Sequence, residues 1–398
     1  MRILEKNYWK NFDIWKDVKE DQWKNWKWQI ANRFKTYEDI KNILELDENQ
    51  KEAFRTTENI FHFGTTPYYL SLIKDFSDKN NPILKQILPS IEEIDPLSQI
   101  ESELDPFLED TMSPVSGLTH RYPDRVLFRA TNFCSVYCRH CMRKRMFLED
   151  ERARTKEEYD KMFSYIRNNK NIKEVLISGG DPLTLPNSKI EYILKNLYEI
   201  EHIDIIRIGS RELVVNPFRF YDKQLLKLFD KYDKVWLVTH FNHPDEITDE
   251  TKKAVKKILS TGTPVLNQTV LLKGINDDEK TIENLMRDLL KVKIKPYYLF
   301  YCDPVKGVVH FRTDIFKGVE ILEYLRGRLS GLGIPTYAVD LKGGLGKIPL
   351  IPNYIEEIND EEVVFRNYEN KKVKMKNINS CKYFKSIDRN ITIQKIKW

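Results

Sequence analysis

The sequence predicts an α/β protein: a partial or full barrel of about six β/α units, with a helical region before it and a small extension after it. Three observations point there. From residue 125 onward, short apolar runs alternate with charged amphipathic stretches at β/α spacing. Before residue 85 or so, the apolar residues recur at helical spacing instead. Between the two lies an acidic, Pro-punctuated stretch that reads as a connector. These divisions predict a helical region with its connector at 1–112, the barrel at 113–350 and a basic extension at 351–398.

In the first region Trp23, Trp26, Ile30 and Phe34 fall at helical spacing and predict one apolar face. Five of the seven tryptophans precede residue 29. Interleaved with lysine, they would suit stacking on nucleic acid, but helical spacing favours burial. Residues 91–110 carry eight acids, no base and two Asp-Pro steps, as a surface connector would. The barrel strands are predicted at 126–130, 175–178, 205–208, 235–239, 264–272, 296–301 and 335–339. Helices are predicted between them at 156–168, 188–200, 222–231, 249–260, 280–291 and 317–329. In such folds the functional residues gather where strands end and loops begin.

The chain has 398 residues, 41% hydrophobic and 31% charged, an ordinary balance for a globular protein. It has no apolar run of about 18 residues, which excludes a membrane-spanning helix. The opening MRILEKNYWKNFDIWKDVKE lacks the apolar core of a secretory signal, so a cytoplasmic protein is expected. The net charge of +5 is uneven: residues 371–398 hold nine bases against Asp388, which is +8 there and −3 elsewhere. Such a tail could bind an acidic surface, but alternation such as Ile391-Thr392-Ile393 reads as a solvated β appendage. Nucleic acid is not an expected partner, because the body of the chain would repel phosphate. Cysteine usage is the sharpest signal. Of five cysteines, Cys134, Cys138 and Cys141 lie within eight residues, while Cys302 and Cys381 stand alone, so this is no disulfide framework.

The close set reads C-x3-C-x2-C on the loop after the first parallel strand. Three soft thiolates so spaced suit an iron–sulfur cube with one iron left open to a chelating ligand. Zinc would want a fourth ligand; His140 is at hand, but neighbouring positions 140 and 141 ligate one ion poorly. Unpaired core cysteines are the remaining reading.

The segments THRYPDRVLF, YCRHCMRKR, ISGGDPL, RIGSR, THFNHP, NQTVLLKGIND, KPYYLFYCD, HFRT and GGLGKIPLIPNY occur in this order. Together they resemble the lysine 2,3-aminomutase family of radical S-adenosylmethionine (SAM) enzymes, from about residue 15 to 354. The resemblance implies a partial (β/α)6 radical SAM barrel of the TIM type. It also implies an isomerase that interconverts L-lysine and L-β-lysine by a radical-driven 1,2-amino shift. Its cofactors would be a [4Fe–4S] cluster, S-adenosylmethionine and pyridoxal phosphate. Cys134, Cys138 and Cys141 would hold the cluster. Ser178, Gly179, Gly180 and Asp181 would meet the methionine end of S-adenosylmethionine, with His140 and Gln268 on its adenosine side. Lys347 would carry pyridoxal phosphate as a Schiff base, and Arg121, Tyr122 and Arg125 would stand on the phosphate side. Where the family pattern has a further glycine, this chain has Leu345.

By the same resemblance, Arg143 would take the substrate α-carboxylate, and Asp303 and Asp340 its ε-ammonium. Two acids near one another repel unless a cation lies between them, which suits a cationic amino acid and argues against glutamate. Lys306, just beyond Asp303, leaves room for a somewhat different cationic substrate such as arginine, and a lysine within a protein is a further alternative. A nucleic-acid-binding iron–sulfur protein is the remote alternative. Some relatives bind zinc through C-terminal cysteines; here only Cys381 stands in that region and GINDDEK has none, so no structural zinc is expected. A one-electron donor of flavodoxin or ferredoxin type and a homo-oligomeric state complete the expectation.

Overall fold

The computed structural model describes the chain apart from residues 42, 45, 59, 98, 148–150, 360–361 and 377–398. Cys381 and the predicted strand at 391–393 therefore lie outside the described residues. The chain divides into two compact units, Met1–Leu350 and Ile351–Trp398.

In the first unit the main sheet runs β1 (Leu118–Tyr122), β2 (Arg125–Thr131), β3 (Glu174–Gly179), β4 (Ile205–Gly209), β5 (Val235–Thr239), β6 (Val265–Leu271), β7 (Lys295–Tyr301), β8 (Thr336–Leu341) and β9 (Gly346–Pro349), paired in sequence order. Pairing from β2 to β8 is parallel throughout, whereas β1 and β9 flank that core antiparallel. Six crossovers carry α1 (Lys156–Asn168), α2 (Asn187–Tyr198), α3 (Lys223–Lys231), α4 (Asp249–Leu259), α5 (Glu279–Lys291) and α6 (Lys317–Leu325). The outermost strands do not pair with each other, so this is a partial barrel of six β/α units.

The crossover helices follow from local chemistry. Thr155 caps α1 in a reciprocal box with Glu158, and Tyr159, Met162, Phe163 and Ile166 form its buried stripe. Asp278 caps α5, which turns Ile282, Leu285, Met286 and Leu289 inward. All six predicted helices and seven predicted strands are present with ends shifted by a few residues; the largest difference is α6, which stops at Leu325 rather than 329.

Two expectations need correction, while the preference for buried tryptophans holds. The apolar face at Trp23, Trp26, Ile30 and Phe34 is not one helix: Glu20–Trp23 ends, and Asn25 starts Trp26–Ala31 by accepting from the N–H groups of Lys27 and Trp28. Trp9, Trp15 and Trp23 are buried, with Trp9 stacked on Trp23 at 5.2 Å, so they form core and no stacking surface. The acidic stretch is more than a surface connector. Glu93, Phe107 and Glu109 are buried, because the carboxylates pair with cations of the cysteine loop.

The second unit holds a separate antiparallel sheet of β10 (Ile355–Ile358), β11 (Glu362–Arg366) and β12 (Lys372–Lys376) among the described residues. Alternating lysines leave β12 exposed along its whole length.

Candidate active site

A cavity of about 350 Å³ lies along the sheet, lined from Arg125 and Glu174 at the starts of β2 and β3 to Ser178 near the end of β3 and Asp303 just beyond β7. Arg121, Tyr122, Arg125, Arg143, Ser178, Gln268, Asp303, Asp340 and Lys347, all expected site residues, line it. Parallel pairing puts Ser178, Asp303 and Asp340, at or just past strand ends, on one side with the cysteine loop, whereas Arg121, Tyr122 and Arg125 come from the β1–β2 hairpin at the start of β2, Gln268 from mid-β6 and Lys347 from antiparallel β9.

The cysteine loop leaves β2 after Thr131. Cys134, Cys138 and Cys141 are free thiols, and Cys134 and Cys141 pack against the rings of Phe61, Tyr137 and Phe147. Burial raises Cys141 to about 11, helped by its neighbour Cys138, and raises Cys134 well above the usual thiol range. Cys134 and Cys141, held protonated by burial, are poor nucleophiles on their own. Iron removes their protons, and shared sulfur ligation suits the arrangement. Arg211 donates to Cys138 Sγ at 2.6 Å and is itself held by Glu246, Gln86 and Tyr69.

The Ser178–Asp181 turn is pressed onto that loop. Gly180 donates to Thr131 O, and Asp181 N–H to Phe133 O at 2.8 Å. A Cβ on Gly180 would come within 2.4 Å of Phe133 O, and Gly179 has φ +108, so only glycine fits this approach. The Asp181 carboxylate is fully engaged: it accepts from Ser210 Oγ at 2.7 Å and from the N–H groups of Arg211 and Leu183. Its part here is to tie the β3 turn to the β4 turn. His140 does not reach the cavity. It stacks on His240 with rings 5.4 Å apart, and Asn242 and His240 meet its Nε2. Burial and Arg211 hold His240 down at about 3 and push His140 well below its usual range, so both rings are neutral.

Lys347 stands on the β8–β9 hairpin. Its Nζ donates to Asp340 Oδ2 at 2.5 Å and lies 5.5 Å from the centre of the Phe300 ring. Its N–H donates to the Tyr122 hydroxyl at 2.9 Å, and Arg125 stacks on the Tyr122 ring. Gly343, Gly344 and Gly346 all have positive φ, whereas Leu345 sits at φ −72. The departure at Leu345 therefore falls where any residue fits. Arg121, expected on the phosphate side, donates to Asp340 Oδ1 at 3.0 Å and to Phe107 O.

Asp303 and Asp340 close one end of the cavity. Burial, reinforced by Asp340, raises Asp303 to about 7, while Lys347 and Arg143 work against the rise. The cation that two neighbouring acids require is Lys347. Arg143 Nε and Nη2 donate to Glu109 at 3.0 and 2.7 Å. Burial alone would raise Glu109, but Arg143, Arg145 and Arg129 hold it at about 2.

Several site residues escaped the sequence reading. Tyr297, Tyr298 and Phe300 form an aromatic wall, and Arg207 on β4, paired with Glu174, adds a cation. The aromatic run KPYYLFYCD was a visible signal for the first group; nothing local marks Arg207 or Glu109.

The profile of the radical SAM superfamily matches residues 128–287, and that of lysine 2,3-aminomutase matches 322–388. The chain is 52% identical over 355 residues to an Aquifex aeolicus protein named provisionally as an L-lysine 2,3-aminomutase, covering 89% of this chain and 95% of that one. It is 44% identical to the L-lysine 2,3-aminomutase of Clostridium subterminale over 90% of this chain and 86% of that one. It is also 42% identical to the glutamate 2,3-aminomutase of Clostridioides difficile, over 89% and 83%. With these identities spanning both the cysteine loop and the Lys347 hairpin, the chain belongs to the lysine 2,3-aminomutase family of radical SAM enzymes.

Proposed function

We propose that this isomerase interconverts L-lysine and L-β-lysine. The observation that carries the substrate is the pair Asp303 and Asp340 at one end of the cavity, with Arg143 also on its wall. A glutamate side chain would meet two acids there, whereas an ammonium is drawn to them. Asp340 already shares Arg121 and Lys347, and among the described residues Asp303 has no such close pair of cations, so a substrate ammonium finds its weakest-served acid in Asp303.

The family's cofactors are a [4Fe–4S] cluster, S-adenosylmethionine and pyridoxal phosphate, and they supply the radical and the conjugated ring that the amino shift needs. Cys134, Cys138 and Cys141 would hold the cluster. The Gly179–Gly180 turn and Gln268 would border S-adenosylmethionine, and Lys347 would hold pyridoxal phosphate, with Tyr122, Arg125 and Arg207 on the phosphate side. Arg143 orients the carboxylate, Asp303 holds the side-chain ammonium, and the wall of Tyr297, Tyr298 and Phe300 excludes water. A small one-electron donor protein would supply the electron, and the working state would be a homo-oligomer. Among the described residues no helix is long and apolar enough to cross a membrane.

The test is an anaerobic assay of the reconstituted enzyme with L-lysine, L-arginine and L-glutamate side by side. β-Lysine from the first and no product from glutamate is expected. Turnover of glutamate or arginine in preference to lysine would overturn the assignment.

A further inference from the structure

Glu109 comes from the acidic stretch ahead of the barrel, far in sequence from the strand ends that carry the chemistry. It is nevertheless only 3% exposed. Its carboxylate takes one edge of the Arg143 guanidinium, Nε to Oε2 at 3.0 Å and Nη2 to Oε1 at 2.7 Å. Two bonds on one edge fix a planar fork that would otherwise sample many rotamers. They leave Nη1 with no hydrogen-bond partner among the described residues, on a side chain that lines the cavity.

The segment around Glu109 is a strap with anchors on the other substrate-facing loops. Glu103 N–H donates to Pro304 O at 3.0 Å and Lys306 N–H to Glu103 O at 2.9 Å, just beyond Asp303. Gly343 N–H donates to Pro106 O at 2.7 Å on the Lys347 hairpin, and Arg121 Nη2 donates to Phe107 O at 3.2 Å. A strap pinned at these points fixes the Glu109 carboxylate relative to the Asp303 loop and the Lys347 hairpin.

We propose that Glu109 is a positioning residue: through its side-on pair it aims Arg143 at the α-carboxylate of the substrate. The proposal rests on the reading of Arg143 as the carboxylate receptor. Without Glu109, Arg143 is free to turn toward Asp303, which lines the same cavity, and would spend on that acid the charge meant for the substrate.

The test uses the reconstituted holoenzyme and two ligands, L-lysine and L-lysinamide, which carry the same two amines and differ at the carboxylate. Binding is read from the pyridoxal absorbance change, with iron content and circular dichroism recorded alongside. Glu109→Gln should weaken L-lysine about tenfold, as loss of a charged hydrogen bond does, and leave L-lysinamide unchanged. Glu109→Asp, which keeps the charge on a shorter arm, should recover part of the loss. Equal weakening of both ligands, or unchanged L-lysine affinity, would overturn the proposal. Should Glu109→Gln lose iron or fold, Glu109→Asp carries the same comparison, with selective loss expected and equal loss fatal. Arg143→Gln separates the two levels of inference. If it still prefers L-lysine to L-lysinamide, the carboxylate reading itself fails; if it loses the preference and the Glu109 variants do not, only the positioning role fails.

Discussion

Asp303 is the residue whose ionisation the cavity controls most closely. Burial and Asp340 raise it to about 7, so it is neutral on the acid side of that value and charged above it. Only the charged form grips an ammonium, which gives a direct expectation. The apparent KM for lysine should rise about tenfold per unit as pH falls below about 7, with kcat less affected, and steady-state kinetics across pH 6 to 8 would show it. The stability sign runs the other way. A carboxyl raised above its unfolded value makes the fold less stable as pH climbs from the usual aspartate range through about 7. Asp303→Asn should therefore melt at a higher temperature than the parent at pH 8 while losing turnover, a trade common at binding sites. A lower melting temperature at that pH would contradict the reading. Lys347→Ala acts on the same charge set from the other side: the pyridoxal absorbance should vanish, and the two acids, left with Arg121, should bind cations in its place.

At the scale of elements, the cysteine loop and the β3 turn are built as one piece. A methyl group on Gly180 would meet backbone atoms of Phe133 at 2.4 and 2.7 Å, and backbone cannot swing aside as a side chain can. Gly180→Ala should cost about 1–3 kcal/mol in urea denaturation and lower the iron retained after reconstitution. Leu345→Gly, by contrast, should cost no more than about 1 kcal/mol and leave activity unchanged, since Leu345 is exposed at an ordinary φ. The parallel elements were legible because each repeats a local signal, such as Thr155 with Glu158 before the stripe Tyr159, Met162, Phe163 and Ile166. Flanking strands β1 and β9 were not. LTHRY and GKIP lack alternation, and they pair only because a neighbouring strand edge is available. The candidate site divides the same way. Cys134, Lys347 and Asp303 sit in local motifs, whereas Glu109 and Glu93 look like surface acids until the fold brings cations from residues 139–145 against them. Charge pairing between distant segments leaves no local trace.

Across the whole molecule, that long-range pairing decides how the first unit meets acid. Glu93 is fully enclosed; Arg139 bonds it at 2.5 Å and Lys144 at 2.7 Å, and Lys144 reaches on to Gly307 O beyond β7. One carboxylate thus joins the segment before the barrel, the cysteine loop and the loop after Asp303. Burial would raise Glu93, but its two cations outweigh that and hold it at about 2, as Arg143 and its neighbours do for Glu109. Groups depressed on folding contribute stability that is complete above their unfolded value, near 4.5, and is lost as pH falls toward 2. Urea midpoints should therefore drop steeply below pH 4.5, and the drop should be shallower in Glu93→Gln. At neutral pH the order reverses. Glu93→Gln strands two buried cations and should lose about 3–5 kcal/mol, whereas exposed, solvent-screened pairs such as Lys41 with Glu38 should contribute little. If Glu93→Gln were as stable as the parent at pH 7, the three segments would be held together by apolar packing, and the acid profile would have another origin.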